Sequence, residues 1–352
     1  MMEAGHKTRV LIVDDSAIVR KILAEAIGAE QDLEVVGTAP DPYIARDKIL
    51  ALRPDVITLD IEMPRMDGLT FLKKLMHFHP MPVIVISSLG QASCRASLEA
   101  LHLGAVEVLS KPGGPYSVGE MKLELPAKIR AAAASRIAHP AHPAPPAKAE
   151  RETVAHAPAA SFGPGKVIAI GASTGGTEAI REVLMRLPAN SPGIVITQHI
   201  PAIFSLAFAK RLDQICPMQV REASDGDALV PGLALVAPGN LHLLLRKNAG
   251  GYRVQLKDGP RVCYQRPSVD VMFSSVAEAA GAAAVGVLLT GMGADGAQGM
   301  LRMKRAGART IAQDEESCVV FGMPREAIQL NAVDRVVALH RVSDAIRAEA
   351  QS

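Results

Sequence analysis

The sequence has no tryptophan, and aromatic residues make up only 3% of its 352 positions. Single-stranded nucleic acids are held largely by stacking bases on aromatic rings, so a stacking surface of this kind is not expected. The formal net charge of +2 at pH 7 is too small to attract nucleic acid through the field of the protein alone. Because no basic recognition helix follows position 165 either, a transcriptional regulator is disfavoured and we expect no nucleic-acid partner.

Cysteines and long apolar runs are also scarce. The four cysteines are widely spaced, and none forms a CxxC pair: Cys94, Cys216, Cys263 and Cys318. This spacing indicates reduced thiols rather than a disulfide framework or a zinc site. No apolar run is long enough to span a bilayer, and the first residues lack the form of a signal peptide. We therefore expect a cytoplasmic protein without direct membrane insertion.

Hydrophobic residues are abundant, at 49% of the chain, and they are mostly aliphatic. The length suits two domains of ordinary size. A segment rich in alanine and proline divides the chain, since residues 131–165 include 13 Ala and 6 Pro and scattered prolines break helices. His139 and His142 in this segment are expected to be solvated rather than metal-bound. The sequence thus predicts domains at 1–130 and 166–350, joined by this linker.

On both sides of the linker, short aliphatic runs alternate with amphipathic stretches, as in parallel strands connected by helices. The predicted strands are residues 9–13, 33–38, 55–59, 82–86 and 105–109, then 166–170, 193–197, 284–290 and 308–312. Residues 230–256 instead alternate short strands with Gly, Pro and Asn turns, which predicts a β-hairpin insert. The predicted fold class is α/β, with two doubly wound parallel-sheet domains.

Ligand sites in such sheets lie beyond the carboxyl ends of the strands. In the first domain Asp14 and Asp15 follow the first strand, Asp60 ends the third, and Ser87 and Lys111 follow the fourth and fifth. Three carboxylates repel one another unless a cation neutralises them, and oxygen ligands suit Mg²⁺. One carboxylate could then accept a phosphoryl group while the lysine offsets the developing charge. Taken alone, "DDS" would simply indicate a helix N-cap.

The paired aspartates, the string "DIEMPRMDG" and the "KP" dipeptide resemble the receiver domain of two-component response regulators, over roughly residues 8–130. This resemblance implies a flavodoxin-like fold with Asp60 as the phospho-acceptor. It also implies a Mg²⁺ site in which Asp15, Asp60 and the backbone carbonyl of Glu62 bind the ion, with Asp14 acting through water. Ser87 and Lys111 are implied as the switch residues.

The second domain begins with "KVIAIGASTGGTEAI", a short strand run followed by a glycine-flanked serine and a helical stretch. The string "GASTG" fits the G-x-S-x-G turn that exposes a serine nucleophile, here Ser173, and the N–H of Thr174 could stabilise an oxyanion. A phosphate-binding turn needs the same glycines and helix N-terminus. The motif alone favours the phosphate-binding turn, although both common phosphate-loop patterns are absent. A helix-capping serine is a third interpretation.

Two further residues bear on this choice. His199 follows the second strand of the domain, and Asp295 follows the strand at 284–290. A serine nucleophile needs a base, and the base needs an orienting acid, so three suitable residues at three strand ends favour the nucleophile. His242, in the predicted hairpin, has no comparable placement. The chain order Ser, His, Asp differs from that of α/β-hydrolases, in which the histidine comes last.

The strings "GASTGGTEAI", "QHIP", "RPSVDVMF", "LLTGMGADG" and "GMPREAI" resemble the catalytic domain of chemotaxis protein-glutamate methylesterases, over roughly residues 165–345. With the receiver in front, the chain is similar to a CheB-type response regulator along nearly its whole length. The resemblance implies a Rossmann-like catalytic domain and the following roles: Ser173 as nucleophile, His199 as general base, Asp295 as orienting acid, and the backbone of Thr174 and Met292 at the oxyanion.

The same resemblance implies the activity and the partners. The expected activity is a phosphorylation-activated hydrolase that removes methyl esters from chemoreceptor glutamates and deamidates receptor glutamines, which controls adaptation in chemotaxis. The expected partners are methyl-accepting chemoreceptor cytoplasmic domains and a chemotaxis histidine kinase, with Mg²⁺ needed for phosphorylation and no cofactor for the esterase step. From the residues alone, a phosphorylation-controlled docking module and a nucleotide-binding output domain stay open.

Overall fold

The computed structural model describes residues 7–88, 90–112, 115–136 and 162–351. Contacts group the chain into two compact units, residues 1–144 and 145–352. Most of the predicted linker, including His139 and His142, lies outside the described residues. The predicted domain boundary at residue 130 falls inside a helix that continues to Ala133, because the alanines after Arg130 are good helix formers.

The first unit contains a parallel sheet, and its described strands are arranged in the order β2-β1-β3-β4-β5. The strands are β1 (Thr8–Val13), β2 (Leu33–Ala39), β3 (Val56–Asp60), β4 (Val83–Ser87) and β5 (Glu107–Ser110). The helices are α1 (Ala17–Gly28), α2 (Pro42–Leu52), α3 (Gly68–Phe78), α4 (Gln91–His102) and α5 (Pro115–Ala133). The strand order reverses beside β1, so β1 and β3 border the switch point at which α/β sheets bind ligands.

Polar side chains set the starts of the helices that flank this switch point. Ser16 caps α1 by accepting the N–H of Val19, and Asp67 caps α3 by accepting the N–H of Thr70. In "DDS" the capping residue is therefore the serine, which leaves Asp14 and Asp15 available for the site.

The second unit is built on a parallel sheet whose described strands run in the order β15-β14-β13-β6-β7-β10-β8, beside a small antiparallel sheet β11-β12-β9. The strands are β6 (Val167–Ala172), β7 (Gly193–Gln198), β8 (Gln219–Glu222), β9 (Ala228–Leu229), β10 (Leu233–Val236), β11 (His242–Asn248), β12 (Gly251–Lys257), β13 (Ala284–Leu288), β14 (Arg309–Gln313) and β15 (Arg335–Val337). The helices are α6 (Gly176–Met185), α7 (Ala202–Ile215), α8 (Val269–Ala280), α9 (Ala297–Arg305), α10 (Met323–Gln329) and α11 (Leu339–Gln351).

The predicted hairpin at 230–256 is only partly right. The hairpin itself consists of β11 and β12, but the preceding run Leu233–Val236 is a strand of the large parallel sheet, between β7 and β8. All four of its residues are buried, as expected for a strand covered on both faces. Its partner β7 lies far away in the sequence, so local pattern could not assign it to that sheet.

The buried hydrophobic residues are mostly aliphatic, as the composition predicts. Phe204 and Phe273 of the second unit are exceptions, and they are among the largest fully buried side chains. Each unit is a parallel sheet with connecting helices, so the predicted α/β fold class with a hairpin insert is confirmed. Among the described residues, none of the helices combines the length and the apolar character that a bilayer crossing requires.

Candidate active site

Ser173 sits in a tight turn between a central strand and a helix. It follows β6 directly, its N–H donates to Thr290 O at 3.0 Å, and its carbonyl accepts the N–H of Gly176 at 2.7 Å. Gly175 has φ +77°, and α6 begins at the next residue with no side chain capping it. The turn therefore holds Ser173 beside the N-terminus of a helix, where the helix dipole favours negative charge.

The glycines of this turn are required by packing. A Cβ at Gly175 would lie 2.6 Å from Val319 Cβ, and one at Gly176 would lie 2.2 Å from Gln198 Oε1. A Cβ at Gly291, on the neighbouring segment, would lie 2.7 Å from Ser173 Cβ. Protein side chains, rather than open space, cover the turn glycines on these sides. This arrangement favours a turn that presents a serine over one that cradles a phosphate.

His199 is brought beside Ser173 by the pairing of β6 and β7. The register aligns Ala172 with Gln198, and the N–H of His199 donates to Ala172 O at 3.1 Å. Ser173 and His199 therefore leave adjacent strands at the same level. His199 is buried, and its Nε2 lies 2.8 Å from Asp295 Oδ2.

Asp295 accepts four hydrogen bonds, three of them from the start of α8. Its Oδ2 accepts from His199 Nε2 (2.8 Å) and from the N–H of Val269 (2.7 Å). Its Oδ1 accepts from Ser268 Oγ (2.7 Å) and from the N–H of Asp270 (3.0 Å). Burial by itself raises the pKa of Asp295, but the hydrogen bond and charge of His199, followed by the Asp270 N–H and the Ser268 hydroxyl, hold the pKa below its usual range.

An ionised Asp295 can only accept hydrogen bonds, so the Nε2 of His199 carries its hydrogen and the Nδ1 lone pair remains available. Nδ1 is buried, and within the described part of the chain it has no hydrogen-bond partner. His199 and Asp295 are thus joined by a hydrogen bond, whereas Ser173 Oγ makes no hydrogen bond to Nδ1. Catalytic hydrogen bonds of this kind often tighten only when substrate is bound.

Of the two predicted oxyanion residues, Thr174 directly follows Ser173, and Met292 directly follows Gly291, which packs against Ser173. Thr174 is fully buried, and its carbonyl accepts from Thr290 Oγ1 at 3.0 Å. Met292 is 38% exposed and follows Gly291, whose carbonyl accepts the N–H groups of Gly322 (3.0 Å) and Met323 (2.8 Å). The start of the "GMPREAI" segment therefore supports the loop that carries Met292.

Sequence reasoning assigned no role to Gln198 and Ser268. The Nε2 of Gln198 donates to the carbonyls of Ser173 (2.8 Å) and His199 (3.2 Å), which ties the serine turn to the histidine strand. Ser268 caps α8 and contacts Asp295. A serine before a helical run is a recognisable cap signal, whereas nothing in the sequence singled out Gln198.

The first unit holds a second cluster at the ends of β1 and β3. Asp14 and Asp60 are buried and Asp15 is exposed, and one carboxylate oxygen of each lies within 4.8 Å of the others. Lys111 Nζ lies 2.6 Å from Asp60 Oδ2 and 3.4 Å from Asp14 Oδ2. The structure thus brings together the three aspartates and the lysine that the sequence predicts.

The electrostatics of this cluster favour binding a cation. Burial raises the pKa of Asp60 to about 6, although the Lys111 hydrogen bond and the Glu62 N–H act in the opposite direction. Burial also raises the pKa of Asp14, whose Oδ2 has no hydrogen-bond partner among the residues described. Crowded carboxylate oxygens with an unsatisfied atom fit a hard divalent ion such as Mg²⁺.

The other predicted receiver residues surround this cluster. Ser87 is buried, and its Oγ makes long contacts to Ser88 O (3.4 Å) and Ser93 O (3.5 Å). The N–H of Glu62 donates to Asp60 Oδ1 at 3.0 Å, while its carboxylate accepts from Ser88 Oγ at 2.8 Å. The Glu62 side chain thus points toward the β4–α4 segment rather than into the cluster.

Comparison with known proteins covers both units. Residues 10–120 match the family model for the response regulator receiver domain, and residues 168–346 match that for CheB methylesterase. Protein-glutamate methylesterase/protein-glutamine glutaminase 2 of Syntrophus aciditrophicus (strain SB) is 55% identical over 340 residues, which cover 97% of this chain and 98% of that protein. Protein-glutamate methylesterase/protein-glutamine glutaminase 4 of Anaeromyxobacter dehalogenans (strain 2CP-C) is 54% identical over 341 residues, 97% of this chain and 94% of that protein.

A solved structure agrees for the second unit. The CheB methylesterase catalytic domain of Thermotoga maritima is 37% identical with a TM-score of 0.51, and the match covers 52% of this chain and 98% of that one. The resemblance found in the sequence motifs is confirmed. With one family match on each unit and relatives similar along almost their whole length, the chain belongs to the CheB methylesterase family, in the form that carries a receiver domain.

Proposed function

We propose that the chain hydrolyses glutamate γ-methyl esters on the cytoplasmic domains of methyl-accepting chemoreceptors and deamidates glutamines there. The observation that carries this proposal is the buried 2.8 Å contact between His199 and Asp295 beside the Ser173 turn. The names of the relatives, protein-glutamate methylesterase/protein-glutamine glutaminase, indicate the substrate class. The proposed location is the cytoplasm, and the role is adaptation in chemotaxis.

In the proposed reaction Ser173 Oγ attacks the ester carbonyl while His199 Nδ1 takes its proton. Asp295 holds the Nε2–H and stabilises the imidazolium that forms. Collapse of the tetrahedral intermediate breaks the bond to the methoxy oxygen, and His199 returns the proton so that methanol leaves. Water then attacks the acyl-enzyme with His199 again as base, which releases the glutamate carboxyl and restores Ser173.

The negative oxygen of each tetrahedral intermediate is expected to rest on the backbone N–H groups of Thr174 and Met292. The open N-terminus of α6, two residues after Thr174, adds a favourable dipole. Removing one such donor typically costs about 2.7–4 kcal/mol of activation free energy. Deamidation uses the same residues, but His199 must protonate the leaving nitrogen so that ammonia departs.

For regulation we propose that Asp60 accepts a phosphoryl group from a chemotaxis histidine kinase. Asp15, Asp60 and the carbonyl of Glu62 would hold Mg²⁺, with Asp14 acting through water, and the ion would offset the crowded negative charge. Lys111 already contacts Asp60 and Ser87 ends the adjacent strand, so both can respond to the roughly −1.5 to −2 charges that phosphorylation adds. The proposed consequence is higher esterase activity.

The decisive experiment measures methanol release from methylated receptor, with and without a small phosphodonor. Ser173→Ala should lower the rate about 10⁴-fold or more, whereas Ser224→Ala, at an exposed serine of the same unit, should behave as wild type. A docking module would keep its activity in both variants. If Ser173→Ala kept a tenth or more of wild-type release, the proposed chemistry would be wrong.

A further inference from the structure

We propose that His242, on the hairpin strand β11, positions the catalytic acid: it holds the backbone of Ser268 so that the start of α8 presents its donors to Asp295. The inference rests on the proposed esterase function and adds a residue to its machinery. The hydrogen bonds of His242 go to Pro260 and Ser268, so its proposed role is that of a positioning residue that acts through Ser268.

His242 makes two hydrogen bonds that together specify one tautomer. It is buried, its Nε2 lies 2.9 Å from Pro260 O, and its Nδ1 lies 3.2 Å from the N–H of Ser268. A carbonyl oxygen can only accept and an N–H can only donate. The ring is therefore neutral, with its hydrogen on Nε2 and its Nδ1 lone pair directed at Ser268.

Ser268 carries the effect of this contact to the active site. It is fully buried, its Oγ donates to Asp295 Oδ1 at 2.7 Å, and the same oxygen caps α8 by accepting the N–H of Val271 at 3.4 Å. Where Ser268 sits decides where α8 begins. The next two N–H groups, of Val269 and Asp270, are those that reach Asp295.

Three of the four hydrogen bonds to Asp295 thus come from residues 268–270, and the fourth comes from His199. If Ser268 shifts, three donors shift with it, and the carboxylate that orients His199 shifts too. Misplacing a reacting group by about 1 Å can cost roughly 100-fold in rate. A buried contact outside the catalytic residues can therefore influence kcat.

The hairpin β11–β12 makes other contacts that hold it in place, including one to α8, so its packing on α8 does not depend on His242 alone. Leu243 and Leu245 of β11 are fully buried, and the N–H of Leu245 donates to Ser275 Oγ at 2.9 Å. The two bonds of His242 therefore separate into two tasks: the Pro260 bond anchors the following loop, and the Ser268 bond sets the start of α8.

Two amide substitutions separate these tasks. His242→Asn places an acceptor oxygen near the position of Nδ1 and can keep the bond to Ser268. His242→Gln places an amide N–H near the position of Nε2 and can keep the bond to Pro260. His242→Leu keeps neither, and His340→Leu, at an exposed histidine of the same unit, serves as the control.

The test measures kcat and KM for methanol release from methylated receptor, with the melting temperature of each variant. His242→Leu and His242→Gln should lower kcat about 10- to 100-fold with KM within about twofold, and His242→Asn should recover most of the loss. If the glutamine variant recovered kcat and the asparagine variant did not, His242 would only anchor the loop. An unchanged kcat in His242→Leu would also overturn the proposal.

A double-mutant cycle tests the route through Ser268. If His242 acts through that residue, His242→Leu combined with Ser268→Ala should cost less than the product of the two single losses. Independent losses that multiply would contradict the route.

A measurement independent of activity separates this inference from the proposed function. Losing donors to the ionised form raises a carboxyl pKa, so NMR titration of the Asp295 carboxyl carbon should show a higher pKa in His242→Leu and His242→Gln than in wild type and His242→Asn. Failure of the proposed function would appear as a wild type that releases no methanol, with this pattern intact. An Asp295 titration identical in all four proteins would overturn the inference.

Discussion

Asp60 in the first unit and Asp295 in the second are both buried carboxylates at the carboxyl end of a parallel sheet: Asp60 is the last residue of β3, and Asp295 follows β13. Asp60 accepts one backbone N–H, from Glu62, and the Lys111 ammonium. Asp295 accepts two backbone N–H groups, a hydroxyl and the His199 ring. The pKa of Asp60 is raised to about 6 by burial, whereas that of Asp295 is lowered.

The difference shows that hydrogen-bond donors, rather than position in the sheet, set the pKa of each carboxyl. The start of α8 lies against Asp295, so both of its oxygens are saturated and it stays a fixed anion that orients a histidine. Asp60 has fewer donors and lies near Asp14, whose charge contributes to raising its pKa. Binding a cation would therefore stabilise the ionised form of Asp60, in keeping with its proposed role as phospho-acceptor.

The largest effect is expected from replacing Asp295, the carboxylate of the second unit. Asp295→Asn keeps the shape but cannot act as the fixed anion that sets the His199 tautomer, so kcat should fall about 10⁴-fold. Receptor-ester hydrolysis measures this loss, and phosphorylation of Asp60 should be unaffected. A fall of less than about tenfold would mean that Asp295 is not the orienting acid.

The next effect concerns packing at the serine. Gly291→Ala would place a Cβ 2.3 Å from Met323 Sδ and 2.7 Å from Ser173 Cβ, so the serine turn must shift and kcat/KM should fall about 100-fold. The matched control is Gly250→Ala, because its new Cβ would meet Asn248 Oδ1 only at 3.5 Å. Equal rates for the two variants would show that the turn tolerates displacement.

A smaller effect is expected from the receiver side. Asp60→Asn removes the proposed phospho-acceptor, so the phosphodonor should no longer stimulate ester hydrolysis, while basal activity should persist. Couplings between sites are typically about 1–3 kcal/mol, or roughly 5- to 150-fold. The ratio of the rates with and without phosphodonor should lie in that range for wild type and should be about one for Asp60→Asn. The exposed Asp47→Asn should keep the stimulation, and stimulation surviving in Asp60→Asn would exclude coupling through this residue.

The smallest effect is a difference in titration between the two carboxyls. Without Mg²⁺, the Asp60 carboxyl carbon should titrate near pH 6 by NMR, whereas Asp295 should stay ionised down to below pH 3.8. Between about pH 4 and 6 the folded first unit then binds more protons than the unfolded chain. Protonation of Asp60 therefore makes the folded unit more stable as pH falls through this window.

The contribution of Asp295 to the pH dependence of stability has the opposite sign. Its folded pKa lies below its unfolded value, so the stability it contributes is present above about pH 4 and is lost as pH falls further. Equal pKa values for the two carboxyls, or a pKa of Asp295 above that of Asp60, would contradict this difference between the two units.

Much of the fold and the site could be predicted because strand ends are local features. Asp14, Asp60, Ser173 and His199 stand directly beside aliphatic runs, and parallel sheets gather such ends on one edge. By contrast, local pattern places the strand Leu233–Val236 in the hairpin, since its true partner β7 is distant in sequence. The contacts of Gln198 and His242 could not be predicted either, because a polar residue gives no local sign of which distant donor or acceptor it meets.

The sequence by itself determined the α/β class and the two units and singled out the candidate reactive side chains, because hydrophobic period and glycine-flanked turns are properties of neighbouring residues. Only the tertiary structure decided that α8 begins against Asp295, that His199 offers Nδ1 rather than Nε2, and that Asp60 lies beside Lys111 and Asp14. These are contacts between segments tens of residues apart. The pKa values of the carboxyls, and so their chemistry, depend on those contacts.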